Sequence, residues 1–483
     1  MRLSSFHSLH PAGFSNVDQA HQTQSFTISC ILKSDQSQSN LRSLPAAPFF
    51  VAAVLEAIAS SKFVNIVEVV PGEADAYCAA KARLSGGTVL TNDSDLLIYD
   101  LGPDGTVGSL NGLEFITNSN ISTAKVCVAA QTKVINPRDV ARSLGLKDLK
   151  DLAYVLKEHP ESSFQKAAHE AQHIKLNGAQ YQQTLGEYLV EPAAFESRMF
   201  QQDILTRVRT QTPFLDPRIS EFVLQSDSQS ASIYLPIMIE DPTRTSAFAA
   251  SISQRLFAYS CCTFPSKVPG QKVLEYGRKG QRILPTSIEL LSDMGILKHA
   301  RSLRIRLQKF MTIFSDLPKA LIWRIYALAE VYHWYLDTAR TPPSRDAMIT
   351  ALTGKTEGRI TWDDIHLYAQ IEATLYSLRM TQQILAFVLP FNPSDEIAPS
   401  VMQTLIGLQD DLNDLPLLKI LMPSRCELSA QTVNVDVDEM LNSLANIIQD
   451  DVSQEGLVNG MDGKNDERAD TRKRKRKRGK RAM

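Results

Sequence analysis

Two pairs of acidic residues stand close together in the sequence, Glu73 with Asp75 and Asp93 with Asp95. Hard divalent cations such as Mg²⁺ and Mn²⁺ prefer oxygen ligands, and carboxylates from separate chain segments supply them. Two such ions about 4 Å apart can clamp a phosphodiester, one activating the attacking water and the other stabilising the leaving oxygen. These four residues are therefore candidate catalytic residues and candidate ligands for Mg²⁺ or Mn²⁺.

A structural interpretation of the same residues stays open. Glu73 and Asp75 could only cap a helix, and the segment 93–95 could only form an Asx turn. Acidic side chains that cluster repel one another unless something neutralises them. Two pairs at matching places in the sequence therefore favour the metal-binding interpretation.

The elements around the acids predict a βαβ unit. Residues 64–70 are mostly apolar and β-branched, which is typical of a buried parallel strand. Residues 73–84 have helical spacing with acids in the first turn, and residues 88–91 form a second apolar strand. In open α/β sheets the chemistry lies at the carboxyl edge of the strands, so the four acids are expected there. Residues 97–101 and 106–110 are further strand candidates, joined as a hairpin.

These stretches also carry a family resemblance. VVPGEADAYCA followed by TNDSDLL resembles the internal nuclease region of flap-endonuclease and xeroderma-pigmentosum-type structure-specific nucleases. YLPIMIEDPTRTSAF and LEYGRKGQRI resemble the asteroid-like branch of that superfamily, and the resemblance covers roughly residues 44–283. By it, Glu73, Asp75, Asp93 and Asp95 match metal-ligand positions.

The resemblance implies a fold and a function. The fold class is α/β, with a partial PIN-like parallel sheet and flanking helices, followed by a mostly α-helical domain and disordered termini. The implied function is metal-dependent, structure-specific endonuclease activity on branched or single-stranded DNA, as in DNA repair. The alternative is a catalytically impaired nuclease fold that acts as a nuclear binding or scaffold module.

The sequence departs from the family pattern in two places. Neither Asp18 nor Asp35 ends an apolar strand run, so the N-terminal nuclease region is expected to be missing. An incomplete gene model or an alternative start is the first explanation, and true loss of that region is the second. The later Gly-x-Asp-Tyr motif is replaced by LKDLKDLAYVLKEHP, in which Asp148 and Asp151 are expected to face solvent. Both departures favour the non-catalytic alternative.

Composition, together with what the resemblance implies, predicts four segments. They are a disordered N-terminus (1–43), an incomplete nuclease core (44–175), a mainly helical asteroid-like domain (176–430) and an acidic linker with a basic tail (431–483). Within the helical domain, residues 317–336 are expected to form a buried helix. A helix capped by Thr361 is expected to run to about residue 388, with His366 on its surface. Arg244 is expected to be solvated or salt-bridged, whereas Arg278 and Lys279 could be either that or phosphate contacts.

Charge and targeting patterns bear on location and partners. The net charge is −2, yet nine of the ten residues 472–481 are basic, which leaves 42 basic against 53 acidic residues elsewhere. The tail predicts nuclear import through an import receptor or nonspecific polyanion binding, and a flexible solvated tail is the alternative. Import, and hence a nuclear protein, is favoured because it agrees with the resemblance, which implies DNA as the partner. The tail's central residues are Arg472, Lys473, Arg474, Lys475, Arg476, Lys477 and Arg478. Six scattered cysteines indicate a reducing compartment, and no signal peptide, membrane span or His/Cys metal spacing is expected.

Overall fold

The computed structural model describes residues 48–462 except 118–127, 174–177, 264–267, 269, 356–358, 392–398, 423–426, 430, 431 and 433. These residues form a mixed α/β chain with small sheets and a helical C-terminal region. The chain divides into two compact units. Residues 67–213 form the first unit, and the described residues before and after them form the second.

Helix α1 (Phe50–Ala59) precedes the first unit in the chain and belongs to the second. The first unit contains a three-stranded sheet and a separate two-stranded one. In the larger sheet, β1 pairs in parallel with β2 and β2 pairs antiparallel with β5, whereas β3 and β4 form an antiparallel pair. The strands are β1 (Thr88–Thr91), β2 (Thr106–Ser109), β3 (Glu114–Thr117), β4 (Val128–Gln131) and β5 (Val134–Ile135).

Helices surround these strands in the first unit. The predicted helix over 73–84 is confirmed as α2 (Ala74–Ser85), which ends at Gly86 in the left-handed conformation with φ 66°. Three helices follow β5 in the chain. They are followed by three short helices, and the set is α3 (Pro137–Ser143), α4 (Lys150–Glu158), α5 (Phe164–His173), α6 (Ala179–Glu187), α7 (Pro192–Met199) and α8 (Gln202–Gln211).

The predicted first strand is wrong. Val64–Ile66 is a short 3-10 helix, and residues 67–70 belong to no regular element. A buried parallel strand needs apolar cover on both faces, whereas Ile66 is 79% exposed. The βαβ unit is therefore absent, and the parallel partner of β1 is the later strand β2. A full PIN-like parallel sheet is not confirmed.

The predicted hairpin is also wrong. Ser94–Leu97 is a 3-10 helix, and the residues from there to Leu101 are irregular. Leu96, Tyr99 and Leu101 are buried in one apolar cluster of the first unit. Their spacing does not alternate between two faces, as it would in a strand.

The second unit combines one sheet with long helices. Its sheet has the order β6-β7-β8, with β6 parallel to β7 and β7 antiparallel to β8. The strands are β6 (Ser230–Tyr234), β7 (Lys272–Lys279) and β8 (Arg282–Glu289). The helices are α9 (Pro217–Leu224), α10 (Ile252–Thr263), α11 (Asp293–Ile313), α12 (Lys319–Asp337), α13 (Arg345–Thr353), α14 (Trp362–Val388), α15 (Pro399–Asn413), α16 (Leu418–Leu421) and α17 (Val437–Asp462).

Several predictions for this unit can be compared with it directly. The buried helix is confirmed as α12, whose residues from Ala320 to Val331 are all buried. Thr361 caps α14 in a capping box with Asp364, as predicted. His366 is buried rather than exposed, so its predicted surface position is wrong. No helix in the described ranges combines the length and apolar character that crossing a bilayer requires.

The C-terminal helix α17 ends at Asp462. It lies within residues 431–483, which were expected to be an acidic linker with a basic tail. The basic residues 472–478, predicted as a nuclear import signal, lie outside the described residues.

Candidate functional site

Two of the four candidate acids lie at the start of α2. Glu73 occupies the N-cap position with φ −79° and ψ 126°, and its side chain makes no capping hydrogen bond. Asp75 lies in the first turn. A helix N-terminus carries partial positive charge, so it stabilises carboxylates at both positions. The capping interpretation is therefore not supported for Glu73, whereas the dipole explains why two acids are tolerated there.

The other two acids follow β1. Asp93 caps the 3-10 helix Ser94–Leu97, and its Oδ1 accepts a hydrogen bond of 3.1 Å from the backbone N–H of Asp95. The backbone N–H of Asp93 in turn donates to Thr91 Oγ1 at 2.9 Å. An Asx turn is thus present, and it fixes the direction of the chain as it leaves the strand.

Asn92 joins the ends of the two parallel strands, a role that its sequence position did not predict. Its Oδ1 accepts from the backbone N–H of Asn111 at 2.9 Å and from Ser109 Oγ at 3.3 Å. Its Nδ2 donates to Asn111 Oδ1 at 3.1 Å. Because Ser109 ends β2, these bonds hold the carboxyl ends of both strands at a defined separation.

The buried hydroxyl of Tyr99 relates the two acidic segments. Burial raises the pKa of Tyr99 above its ordinary value, and the negative charges of Asp75, Glu73 and Asp95 raise it further. The apolar cluster that buries Tyr99 also includes residues of α2 and of the 3-10 helix, so both acidic segments pack against one core. Tyr99 Oη donates to the backbone oxygen of Glu187 at 3.2 Å, which fixes its position.

A second tyrosine anchors α2, one turn after its first acid. Tyr77 Oη donates to Glu196 Oε1 at 2.7 Å, and Arg209 binds both oxygens of Glu196. Burial and this hydrogen bond raise the pKa of Tyr77. A buried carboxylate with a bidentate arginine is a rigid attachment point. It links α2 to α7 and α8.

The residue types of the four acids suit a hard cation. Carboxylate oxygens are the ligands that Mg²⁺ and Mn²⁺ prefer. Nevertheless, no three His, Cys, Asp or Glu side chains in the described part of the chain are grouped as ligands of one metal ion. The two acidic segments thus share one apolar core around Tyr99.

Comparison with known proteins adds to this geometry. The family model of XPG-domain-containing proteins matches residues 46–290, half of the chain. The chain belongs to the XPG-domain family. The matched range covers all four candidate acids and extends into the second unit as far as β8. The expected membership of the asteroid-like XPG-type superfamily is thereby confirmed.

A curated relative supports the same placement within the XPG-domain family. Asteroid homolog 1 of Schizosaccharomyces pombe is 28% identical over 235 residues, which are 48% of this chain and 43% of that protein. The chain thus spans less than half the length of the relative that it matches. No solved structure matches the chain.

The two arginines of the asteroid-like motifs are engaged within the protein. Arg244 pairs with Asp241 at 3.2 Å and with Asp363, as the salt-bridge prediction stated. Arg278 is buried, and its Nε donates to Glu240 Oε1 at 2.6 Å. The guanidinium lies inside the protein, so the phosphate-contact alternative is wrong for Arg278, whereas the salt-bridged alternative is confirmed, as a buried pair rather than a surface one. Lys279 is exposed and donates to the backbone oxygen of Pro285 at 3.0 Å.

Asp148 and Asp151 take local structural positions. Asp148 is exposed and accepts from the backbone N–H of Lys150 at 2.9 Å, at the start of α4. Asp151 is half-buried and accepts from Tyr181 Oη at 2.5 Å. Solvent exposure is confirmed for Asp148 and is wrong for Asp151, whose tyrosine partner lies 30 residues later and leaves no local sequence signal.

Proposed function

We propose that this chain is a divalent-cation-dependent nuclease that hydrolyses phosphodiester bonds in branched or single-stranded DNA. The acidic edge, defined as Glu73, Asp75, Asp93 and Asp95, would be its catalytic and metal-binding site. One observation supports this assignment most: α2 and the 3-10 helix Ser94–Leu97, at whose starts the two acidic pairs lie, pack in one apolar cluster around Tyr99. Membership of the XPG-domain family supports the substrate class.

Each part of the site would have a distinct task. The four carboxylates would hold Mg²⁺ or Mn²⁺, which when bound supplies electrophilic stabilisation of the phosphodiester. Asn92 would keep Asp93 and Asp95 in place by holding the ends of β1 and β2 together. The hydrogen bond from Tyr77 to Glu196 would hold the N-terminus of α2 in place, and with it Glu73 and Asp75.

A second candidate function is binding without cleavage. It is favoured by the finding that no three potential ligands are grouped as a metal site among the residues that the structure describes. In that case the chain would hold branched DNA, or a protein partner, as a nuclear scaffold.

The test uses the full-length chain on 5′-labelled flap and single-stranded DNA with Mg²⁺, Mn²⁺ or EDTA. The nuclease proposal expects cleavage with either ion, none in EDTA, and loss of cleavage in Asp93→Asn/Asp95→Asn. Asp104→Asn removes one exposed acid from the turn before β2 and serves as the control, with cleavage retained. Affinity for DNA is measured in parallel in Ca²⁺.

The outcomes separate the two candidates. Binding without cleavage in every metal would support the scaffold function and refute the nuclease proposal. Cleavage that survives both Asp93→Asn/Asp95→Asn and Glu73→Gln/Asp75→Asn would refute the acidic edge as the site. If the chain neither binds nor cleaves DNA, both candidates fail.

We further propose that residues 472–478 direct the chain to the nucleus by binding an import receptor. A basic cluster of this density presents the charge pattern of import signals. Fluorescent fusions of the full chain, with and without Lys473→Ala/Arg474→Ala/Lys475→Ala, test it. Nuclear accumulation should require the intact cluster, and equal accumulation of both fusions would refute the proposal.

A further inference from the structure

The expectation that the sequence contains no His/Cys metal spacing is wrong. Residues 169–173 read HEAQH, which places two histidines four residues apart with a glutamate directly after the first. The structure puts His169 and His173 on one helix, α5 (Phe164–His173). Side chains four apart on a helix share one face, and a histidine pair at this spacing is a known metal-chelating arrangement.

The geometry of the two rings suits a shared ion. Their centroids are 4.7 Å apart and their planes are inclined at 69°. Zinc–nitrogen bonds are about 2.0–2.1 Å long, so two nitrogens bound to one ion lie at most about 4 Å apart, and rings whose centroids are 4.7 Å apart can meet that limit. Both imidazoles are exposed, and solvent therefore reaches them without any movement of the fold.

The pair also borders a depression in the surface of the first unit. Its volume is about 340 Å³, and Lys166, His169, Glu170 and His173 line it. The opposite face of α5 carries Ala167, Ala168 and Ala171, which are buried in an apolar cluster with α3 and α4. The helix that presents the histidines is thus fixed by packing, and the two rings start from a pre-organised backbone.

We propose that His169 and His173 bind one borderline divalent transition-metal ion of the zinc and copper class. Imidazole nitrogen is a ligand that these ions prefer over Mg²⁺ or Mn²⁺. Among the described residues no third acid, histidine or cysteine completes a three-ligand set, so solvent fills the remaining positions. This site is separate from the acidic edge, which takes hard ions through oxygen ligands.

The charges beside the pair tune its affinity. Glu170 lines the same depression, and its Oε1 lies 3.9 Å from His159 Nε2. Its carboxylate attracts a cation, whereas the ammonium of Lys166 repels it. The Lys166→Gln variant should therefore bind the metal more tightly than the wild-type chain.

The test titrates the metal-free full-length chain with Cu²⁺, the divalent ion that nitrogen sites hold most tightly, and follows binding by electron paramagnetic resonance. The wild-type spectrum should show one equivalent of bound Cu²⁺ per chain, with hyperfine splitting from two nitrogen ligands. His169→Ala and His173→Ala should each lose that equivalent. Zn²⁺ added in excess should displace Cu²⁺ from it, whereas Mg²⁺ should not.

Two controls make the result specific. His159→Ala removes a nearby exposed histidine that does not line the depression, and this variant should still bind one equivalent of Cu²⁺. Asp93→Asn/Asp95→Asn should keep it as well, which separates failure here from failure of the acidic edge. Circular dichroism confirms that each variant is folded. An unchanged spectrum in both His169→Ala and His173→Ala would overturn the proposal.

Discussion

Arg255 and Glu275 form a buried ion pair whose removal should destabilise the second unit strongly. Arg255 donates from Nε to Glu275 Oε2 at 2.7 Å and from Nη2 to Oε1 at 3.0 Å, and Tyr259 Oη donates to Oε2 at 2.7 Å. Arg255 Nη1 also donates to the backbone oxygen of Phe248 at 2.8 Å and to Ser251 Oγ at 2.9 Å. The pair therefore joins α10 to β7 with every polar atom of the carboxylate engaged.

The magnitude follows from what each variant leaves buried. Arg255→Met leaves the carboxylate of Glu275 buried without its charged partner and should lower the free energy of unfolding by about 3–5 kcal/mol. With a urea dependence of about 3 kcal/mol per molar, a loss of about 4 kcal/mol shifts the midpoint down by about 1.3 M. Arg255→Met/Glu275→Leu removes both charges and should recover at least about 1 kcal/mol of this loss.

The pH dependence supplies an independent check. Burial acts to raise the pKa of Glu275, but the charge of Arg255 and the hydrogen bonds from Arg255 and Tyr259 outweigh it and lower the pKa. The stabilisation is therefore present above the ordinary carboxyl pKa of 4.5 and is lost as the pH falls through the lowered value. The double variant should lose less stability than the wild type over that acidic range.

Tryptophan fluorescence is the assay, because the chain's three tryptophans, Trp323, Trp334 and Trp362, all lie in the second unit. Arg244→Ala is the matched control, since its ion pair is partly exposed and should contribute less than about 1 kcal/mol. A midpoint for Arg255→Met within experimental error of that for Arg244→Ala would refute the reasoning.

Three further predictions concern stability. Burial, with Arg244 and Arg278 nearby, lowers the pKa of His366 from 6.5 to about 4. The second unit should therefore lose stability as the pH falls from 6.5 to 4, because the unfolded chain binds a proton that the folded His366 does not. His366→Gln should reduce that loss in urea titrations. Thr361→Ala removes the capping box of α14 and should cost about 1 kcal/mol by the same fluorescence assay, whereas an unchanged midpoint would contradict it. In Gly105→Ala the new Cβ would lie 2.1 Å from the backbone oxygen of Leu101, so hydrogen exchange in the first unit should accelerate, and unchanged exchange would show that the turn adapts.

Local signals predicted the helices better than the strands. The helix α2 was predictable from its acidic first turn and its glycine stop, and α14 from the Thr361 cap. Residues 64–70 have the composition of a strand, but no other described segment packs over Ile66, which is exposed. Whether a strand is buried depends on segments distant in sequence, which local composition does not show. The three-stranded sheet in the second unit was missed because β7 (KVLEYGRK) and β8 (RILPTSIE) show no regular alternation of polar and apolar residues, in a region whose pattern is otherwise helical.

The acids of the candidate site were identifiable from spacing alone, but their supports were not. The bonds of Asn92 to Asn111 and of Tyr77 to Glu196 span 19 and 119 residues. The burial of Arg278 likewise depends on Glu240, 38 residues earlier, and only the fold makes that pair visible. Spacing thus indicates which groups could do chemistry, whereas long-range contacts decide how they are held.

The central claim is that the acidic edge binds divalent cations. Anomalous diffraction from crystals of the full-length chain grown with Mn²⁺ tests it directly. The account predicts a manganese peak contacted by carboxylates of both pairs, one from Glu73 or Asp75 and one from Asp93 or Asp95. Manganese peaks elsewhere, with none at these four residues, would contradict it.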